Sequence, residues 1–335
     1  MTTIAINGFG RIGRCFFRAA RAANAPFEIR AINDLGSLEN LAYLLKYDTV
    51  YKKFPGTIEV INGKLVVDGV ERTHIQEKDP AKLPWRDLGI DIVVESTGFF
   101  TDPAKAHAHI DAGAKRVVIS APAKGDGAET ILLGANEDRF KNCPVTSNAS
   151  CTTNAASPLI GILDAAIGIE KAVLNTTHGY TASQAIVDGP KEKDWKEGRA
   201  AAQNIVPTST GAAKATALAY PQFKDKFDGI SLRVPVPAGS MVDVTFIAKR
   251  PTSVEEVNSA LKAAAATDQW KGVFAVTEEE LVSSDIQGEP YGSIADLNLT
   301  RVVDGNLVKV MAWYDNEMGY AHTLVQHVIA ASRNL

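Results

Sequence analysis

Ile4-Ala5-Ile6-Asn7-Gly8-Phe9-Gly10-Arg11-Ile12-Gly13 is the stretch that decides how the first half of the chain folds. Ile4-Ala5-Ile6 reads as a short buried strand, and it runs straight into a G-x-G-x-x-G triplet. A helix is expected from about Arg11 to Ala23, and a second strand, Glu28-Ile29-Arg30-Ala31-Ile32-Asn33, ends at Asp34. A lone glycine triplet is weak evidence, because plain turns also carry it. Strand, triplet, helix, second strand and acid in this order are specific for a dinucleotide site. Gly8 and Gly10 permit the tight turn and the close approach of backbone to a pyrophosphate, and Gly13 lets helix and strand pack closely. The free amides at the helix start then face the phosphates. Asp34 is placed to accept from ribose hydroxyls and to oppose a 2′-phosphate, which favours NAD over NADP.

The same alternation continues. Asp91-Ile92-Val93-Val94-Glu95 is a fully apolar, parallel-type strand ending at Ser96-Thr97-Gly98, and Arg116-Val117-Val118-Ile119 ends at Ser120. Gly8, Asp34, Thr97 and Ser120 therefore all fall at carboxyl ends of strands, where open α/β sheets bind ligands. Between these elements, Asn62-Gly63 and Asp68-Gly69 mark the turns of a hairpin excursion. The expected class is α/β, with an N-terminal doubly wound, Rossmann-type parallel sheet over 1–150. An α+β catalytic domain with an antiparallel sheet is expected over 151–315. Residues 316–335 are expected to form a helix that packs back on the first domain.

The second half opens on Ser147-Asn148-Ala149-Ser150-Cys151-Thr152-Thr153-Asn154 and an apolar helical run. Ser147, Asn148 and Ser150 are good caps, so Cys151 falls in the first helical turn. Free amides there favour an anion and are expected to lower the thiol pKa. A buried cysteine acting as a small hydrophobe is the alternative, and the polar neighbours argue against it. Of the six histidines, His178 ends the strand Ala172–Thr177 and is the natural partner for the thiol. His107 and His109, two apart on one helix, make a poor metal pair, and no metal site is expected. Gly179 to about Gln203 reads as a long polar loop, which in a compact chain is usually functional or disordered.

Composition narrows the class. The chain has 335 residues, 45 % hydrophobic and 22 % charged, with a net charge of −4, so it reads as globular with no basic patch for nucleic acid. Three cysteines without Cys-x-x-Cys spacing argue against a disulfide framework or zinc and fit a reducing cytoplasm. Met1-Thr2-Thr3 leads directly into the first strand, so no signal peptide is expected, and no apolar run is long enough to span a membrane.

From end to end the sequence resembles the phosphorylating glyceraldehyde-3-phosphate dehydrogenase family. The resemblance rests on residues 7–14, on residues 147–154, on Thr210-Gly211-Ala212-Ala213-Lys214, on Arg233-Val234-Pro235 and on Trp313-Tyr314-Asp315-Asn316-Glu317. It implies a Cys151 hemithioacetal, hydride loss with His178 as base, and a thioester taken by inorganic phosphate. It also implies NAD roles for Arg11, Ile12, Asp34, Lys78, Ser120 and Asn316. Substrate and phosphate roles fall on Ser150, Thr152, Thr181, Thr210, Gly211 and Arg233. For Arg233 the physical reason is plain, since a guanidinium fork matches a phosphate. Glyceraldehyde 3-phosphate and phosphate are the implied substrates. The implied assembly is a homotetramer in which the loop after His178 reaches a neighbouring cofactor site.

Two positions depart from the family pattern. Ala155 stands where many members carry a second cysteine, and Glu197 where several bacterial members carry an arginine, with Lys196 or Arg199 as possible substitutes. Competing readings are an erythrose-4-phosphate dehydrogenase, which would hydrolyse the thioester or take a longer sugar, and a non-enzymatic binding protein on the same fold.

Overall fold

The computed structural model describes all residues, Met1–Leu335, and the chain divides into two compact units. Residues 1–131, 136–149 and 324–335 form the first, and residues 132–135 and 150–323 the second.

The first unit is built on a nine-stranded sheet. Its strands are β1 (Thr2–Asn7), β2 (Phe27–Asn33), β3 (Ile58–Ile61), β4 (Lys64–Val67), β5 (Val70–Ile75), β6 (Ile92–Glu95), β7 (Arg116–Ile119), β8 (Glu129–Thr130) and β9 (Val145–Ser147). The spatial order is β3-β4-β5-β2-β1-β6-β7-β9-β8, with every pair from β5 to β8 parallel. Ile4, Ala5, Ile6, Val93, Val94, Val117, Val118 and Ile119 are wholly or almost wholly buried, as expected of strands covered on both faces. The order reverses at β1, between β2 and β6, which makes the end of β1 the switch point where a ligand crevice opens. The hairpins β3-β4 and β4-β5 turn at Asn62-Gly63 and Asp68-Gly69. Positive φ at both residues of each turn is the geometry that matches strand twist.

The second unit holds an eight-stranded sheet. Its strands are β10 (Ile169–Gly179), β11 (Val206–Ser209), β12 (Phe227–Val234), β13 (Ser240–Ala248), β14 (Phe274–Thr277), β15 (Ser293–Asp296), β16 (Arg301–Val303) and β17 (Leu307–Tyr314). The order is β11-β12-β10-β13-β17-β15-β14, with β16 on β17. This sheet is mixed rather than wholly antiparallel: β10 pairs parallel with β12, and β14 with β15. The connection from β10 to β12 is long and carries the helix Ala212–Ala219, which lets the chain return in the same direction. Along β13 burial alternates strictly. Val242, Val244, Phe246 and Ala248 join a core with Leu159, Ile160 and Leu163 of the helix Cys151–Ala166. A helix spans Met318–Ser332, and residues 324–335 belong to the first unit. There His327 bonds Thr146 and Asn148, and Arg116 donates to the carbonyl of Asn334.

Candidate functional site

In the first unit a cavity of about 540 Å³ opens at the carboxyl ends of β1, β2 and β6, lined among others by Gly8, Gly10, Asp34, Lys78 and Thr97. The glycine turn explains the opening. Gly8 has φ +95°, and a Cβ there would sit 2.6 Å from the Thr97 nitrogen. A Cβ on Gly13 would sit 2.2 Å from the Gly8 carbonyl oxygen, while the space beside Gly10 is open. The helix Arg11–Ala22 begins at Gly10 without a side-chain cap, so its first amides remain available to an anion. Asp34 accepts from the amides of Phe9 (2.7 Å) and Gly36 (2.8 Å), which fixes its carboxylate and leaves lone pairs for further donors. These features fit a dinucleotide.

Several expected cofactor residues lie elsewhere. Arg11 is ion-paired through its side chain with Asp48 and stacks over Tyr51, so only its backbone belongs to the helix start. Ile12, Gly13 and Ser120 do not line the cavity. The Ser120 amide donates to the Glu95 carbonyl. Asn316 lies in the second unit, where its side-chain carbonyl accepts from Ser240, whose oxygen accepts from the Gly179 amide.

Sequence reasoning missed what lies beneath this cavity. Glu95, buried at the end of β6, accepts from Asn7 (2.5 Å) and from the Thr97 amide and hydroxyl. His109 approaches the same carboxylate at 3.1 Å and accepts from the Trp85 indole at 3.0 Å. A buried acid three residues before a glycine at a strand end was the available signal.

In the second unit, the Ser150 hydroxyl caps the helix by accepting from the Thr153 amide (3.1 Å), and Cys151 is the first helical residue. Its Sγ lies 3.3 Å from Nε2 of His178, near the end of β10. The parallel register sets His178 opposite Arg233 of β12, and Arg233 Nη1 is 2.6 Å from His178 Nδ1. Tyr314 ends β17 with its ring edge-on to His178, and its phenol lies between Thr152 Oγ1 (3.0 Å) and Thr176 Oγ1 (2.7 Å). Tyr314 lies in the 313–317 stretch that carries the resemblance, but nothing there points to contact with His178, Thr152 or Thr176.

The electrostatics differ from the expectation of a lowered thiol. Burial pushes the Cys151 thiol up. The Arg233 charge, the Thr152 amide and hydroxyl, and the Cys151 amide pull it down without overcoming burial. His178 is lowered to about 3, by burial first and then by the Arg233 cation, against the Gly179 carbonyl.

Of the expected anion residues, Thr152 is buried against Tyr314, while the Thr210 hydroxyl accepts from the Ala212 amide beside Gly211, the cap of the next helix. The Thr181 amide and hydroxyl donate to Gln184 Oε1. Glu197 has a role of its own, accepting from Ser183 (3.0 Å) and Gln184 (3.1 Å) and so bracing the Thr181 turn. Lys196 and Arg199 are paired with Asp194 and Asp188.

Comparison with known proteins matches two family models to the chain. Residues 2–103 match the family "Glyceraldehyde 3-phosphate dehydrogenase, NAD binding domain", and residues 150–316 match "Glyceraldehyde 3-phosphate dehydrogenase, C-terminal domain". The chain is similar to the glyceraldehyde-3-phosphate dehydrogenase of Streptomyces coelicolor, at 48% identity over 99% of each chain. It is 47% identical to that of Mycobacterium avium over 99% of each chain, and 44% identical to the cytosolic enzyme of Leishmania mexicana over 99% of each. No helix is long and apolar enough to cross a membrane.

Proposed function

Because the chain belongs to the glyceraldehyde-3-phosphate dehydrogenase family, we propose that Cys151 and His178 are its catalytic residues and Arg233 its main anion-binding side chain. The protein is an NAD-dependent oxidoreductase of glycolysis, acting on glyceraldehyde 3-phosphate and phosphate. The observation that carries the residue assignment is the 3.3 Å approach of Cys151 Sγ to His178 Nε2, with Arg233 on the far side of the ring.

Nε2 takes the thiol proton as Sγ bonds to the aldehyde carbon, and returns it to the resulting alkoxide to give a hemithioacetal. The nicotinamide of bound NAD supplies the hydride acceptor. Nε2 removes the hydroxyl proton as the hydride departs, and a thioester remains on Cys151. Phosphate attacks that carbonyl, the acyl phosphate leaves, and the sulfur regains its proton from Nε2. The Cys151 amide at the helix start is assigned to the oxyanion. The hydroxyls of Ser150, Thr152, Thr181 and Thr210 and the Gly211 amide are assigned to the two phosphates. Gly8, Gly10, Asp34, Lys78 and Thr97, with the backbone of Arg11 and Ile12 at the helix start, are assigned to NAD, and Gly13 to the close packing of that helix against the turn; Ser120 and Asn316 keep only the role the resemblance implies.

We place the protein in the cytoplasm as a homotetramer. Three free cysteines support the first assignment, and the exposed Ile186, Val187 and Trp195 of the loop after His178 support the second. Sedimentation equilibrium tests the assembly. For the chemistry, NADH absorbance is followed with glyceraldehyde 3-phosphate, NAD and phosphate. Cys151→Ser should nearly abolish turnover while NAD still binds, because a serine hydroxyl is a far weaker nucleophile. Serine turnover within about tenfold of wild type would remove Cys151 from the role.

A further inference from the structure

Asn7, Asn33 and Glu95 are the last residues of β1, β2 and β6, and the parallel register sets Asn7 opposite both of the others. All three are buried, and their side chains form one hydrogen-bonded chain with a fixed direction. Asn33 Oδ1 accepts from the Glu77 amide, while Asn33 Nδ2 donates to the Glu77 carbonyl and to Asn7 Oδ1. With its oxygen taken, Asn7 turns Nδ2 to Glu95. On the other side the Trp85 indole, which can only donate, makes Nδ1 of His109 an acceptor. The ring proton therefore sits on Nε2 and points at the same Glu95 oxygen, 3.1 Å away. The second Glu95 oxygen accepts from the Thr97 amide and hydroxyl.

Every group that touches this carboxylate donates to it. An ionised carboxylate accepts all four bonds, whereas an acid or an amide would turn its own hydrogen onto a donor. No lysine or arginine lies in ion-pair range, and the one ionisable partner is the neutral His109. A buried charge held by neutral donors alone is costly, so its position calls for a reason. Asn7, Asn33, Glu77 and Thr97, which the network joins, all line the 540 Å³ cavity, while Glu95, His109 and Trp85 stand behind it. Thr97 Oγ1 in turn accepts from the amide of Phe99 (3.0 Å), another residue of the cavity wall.

We propose that Glu95 is a positioning residue for the dinucleotide, its buried charge holding four wall segments of the cavity in their binding shape before the cofactor arrives. His109 and Trp85 support it from behind. The inference rests on the reading that this cavity takes NAD. A wall ordered in advance spares binding the cost of ordering it. Without the charge, Asn7 and Asn33 lose the acceptor that sets their direction, and Thr97 loses the anchor of its turn. Part of the binding free energy then goes into ordering the wall, and affinity falls.

The test titrates the full-length protein with NAD in a calorimeter and compares Kd with KM, kcat and Tm. Glu95→Gln keeps the shape but sets an amide hydrogen against a donor, and should raise Kd about tenfold or more. KM for NAD should rise with it, while kcat at saturating NAD moves far less. Trp85→Phe touches neither the cavity nor the carboxylate. It frees His109 to carry its proton on Nδ1, which turns a bare Nε2 on Glu95, and should raise Kd about threefold. Phe140→Leu, a buried residue of the first unit outside the network, controls for lost stability and should leave Kd in place. A Kd within about twofold of wild type in Glu95→Gln overturns the proposal. So does a Kd that rises in all three variants only in proportion to lost Tm. If Glu95→Gln does not fold, an unchanged Kd in Trp85→Phe overturns it. Asp34→Ser separates this from the reading beneath it: a wild-type Kd there would overturn the cavity as the NAD site, whatever Glu95 does.

Discussion

His178 and Arg233 face each other across the parallel pair β10–β12, 2.6 Å from Nδ1 to Nη1, with no carboxylate between them. The imidazole must stay neutral in the fold, lowered to about 3 by burial and by that cation. His327 is likewise lowered to about 3, by burial. In the unfolded chain both titrate near 6.5, so below that pH the unfolded state binds more protons and stability falls. This contribution is complete above about pH 6.5 and is lost progressively toward pH 3, at about 1.4 kcal/mol per pH unit for each ring. Tm measured from pH 7 to pH 5 should fall, and His327→Asn should flatten the slope. An unchanged slope would mean that His327 is not held neutral.

We propose that cofactor choice rests on Asp34. Asp34→Ser should weaken NAD and narrow the gap between NAD and NADP in kcat/KM, because the negative charge facing the 2′ position is gone. A full switch is not expected, since the Phe9 and Gly36 amides also lose their acceptor and the turn loosens. An unmoved ratio of the two kcat/KM values removes Asp34 from discrimination.

Tyr314→Phe deletes a buried phenol that joins Thr152 and Thr176. Leaving those hydroxyls short of a partner should cost about 1–3 kcal/mol. In thermal melts that corresponds to a fall in Tm of roughly 2–4 °C per kcal/mol. A melt superimposable on the wild type would show that the threonines re-pair at no cost.

Glu197 should matter through the turn it braces. Glu197→Ala removes the acceptor for Ser183 and Gln184, and Gln184 in turn holds Thr181. The KM for glyceraldehyde 3-phosphate should rise about fivefold, the effect of roughly 1 kcal/mol, while Glu197→Gln keeps an acceptor and stays near wild type. Equal KM values for the alanine variant and the wild type would make the brace irrelevant to substrate.

The sequence made some of this legible because the deciding signals are local. Gly8, Gly10 and Gly13 lie within one turn and the start of its helix, and Ser150 caps the helix that begins at the next residue. What escaped depends on pairing across the chain. The parallel register of β10 with β12, which brings Arg233 to His178, follows from a long connection whose return direction no local pattern encodes. Tyr314 reaches Thr152 from a strand far along the sequence, and His109 meets Glu95 only because neighbouring elements bury both. The thiol departs from the expectation for a different reason. The helix end and Arg233 favour the thiolate and burial opposes it, and the size of the burial term exists only in the folded packing. Glu197 departs from the family pattern, and the bonds to Ser183 and Gln184 that give it a role exist only in the folded loop.

The claim that an acyl group waits on Cys151 for an anion is tested most directly by withholding that anion. Wild-type enzyme is mixed with glyceraldehyde 3-phosphate and NAD in a phosphate-free buffer, and NADH is followed from the first turnover. The account predicts a burst comparable to the active-site concentration, then a sharp slowing because water is a poor acceptor, and restored turnover on adding phosphate or arsenate. Sustained turnover without phosphate, at a rate near the phosphate-driven one, would contradict it and point to a hydrolytic dehydrogenase of the erythrose-4-phosphate type.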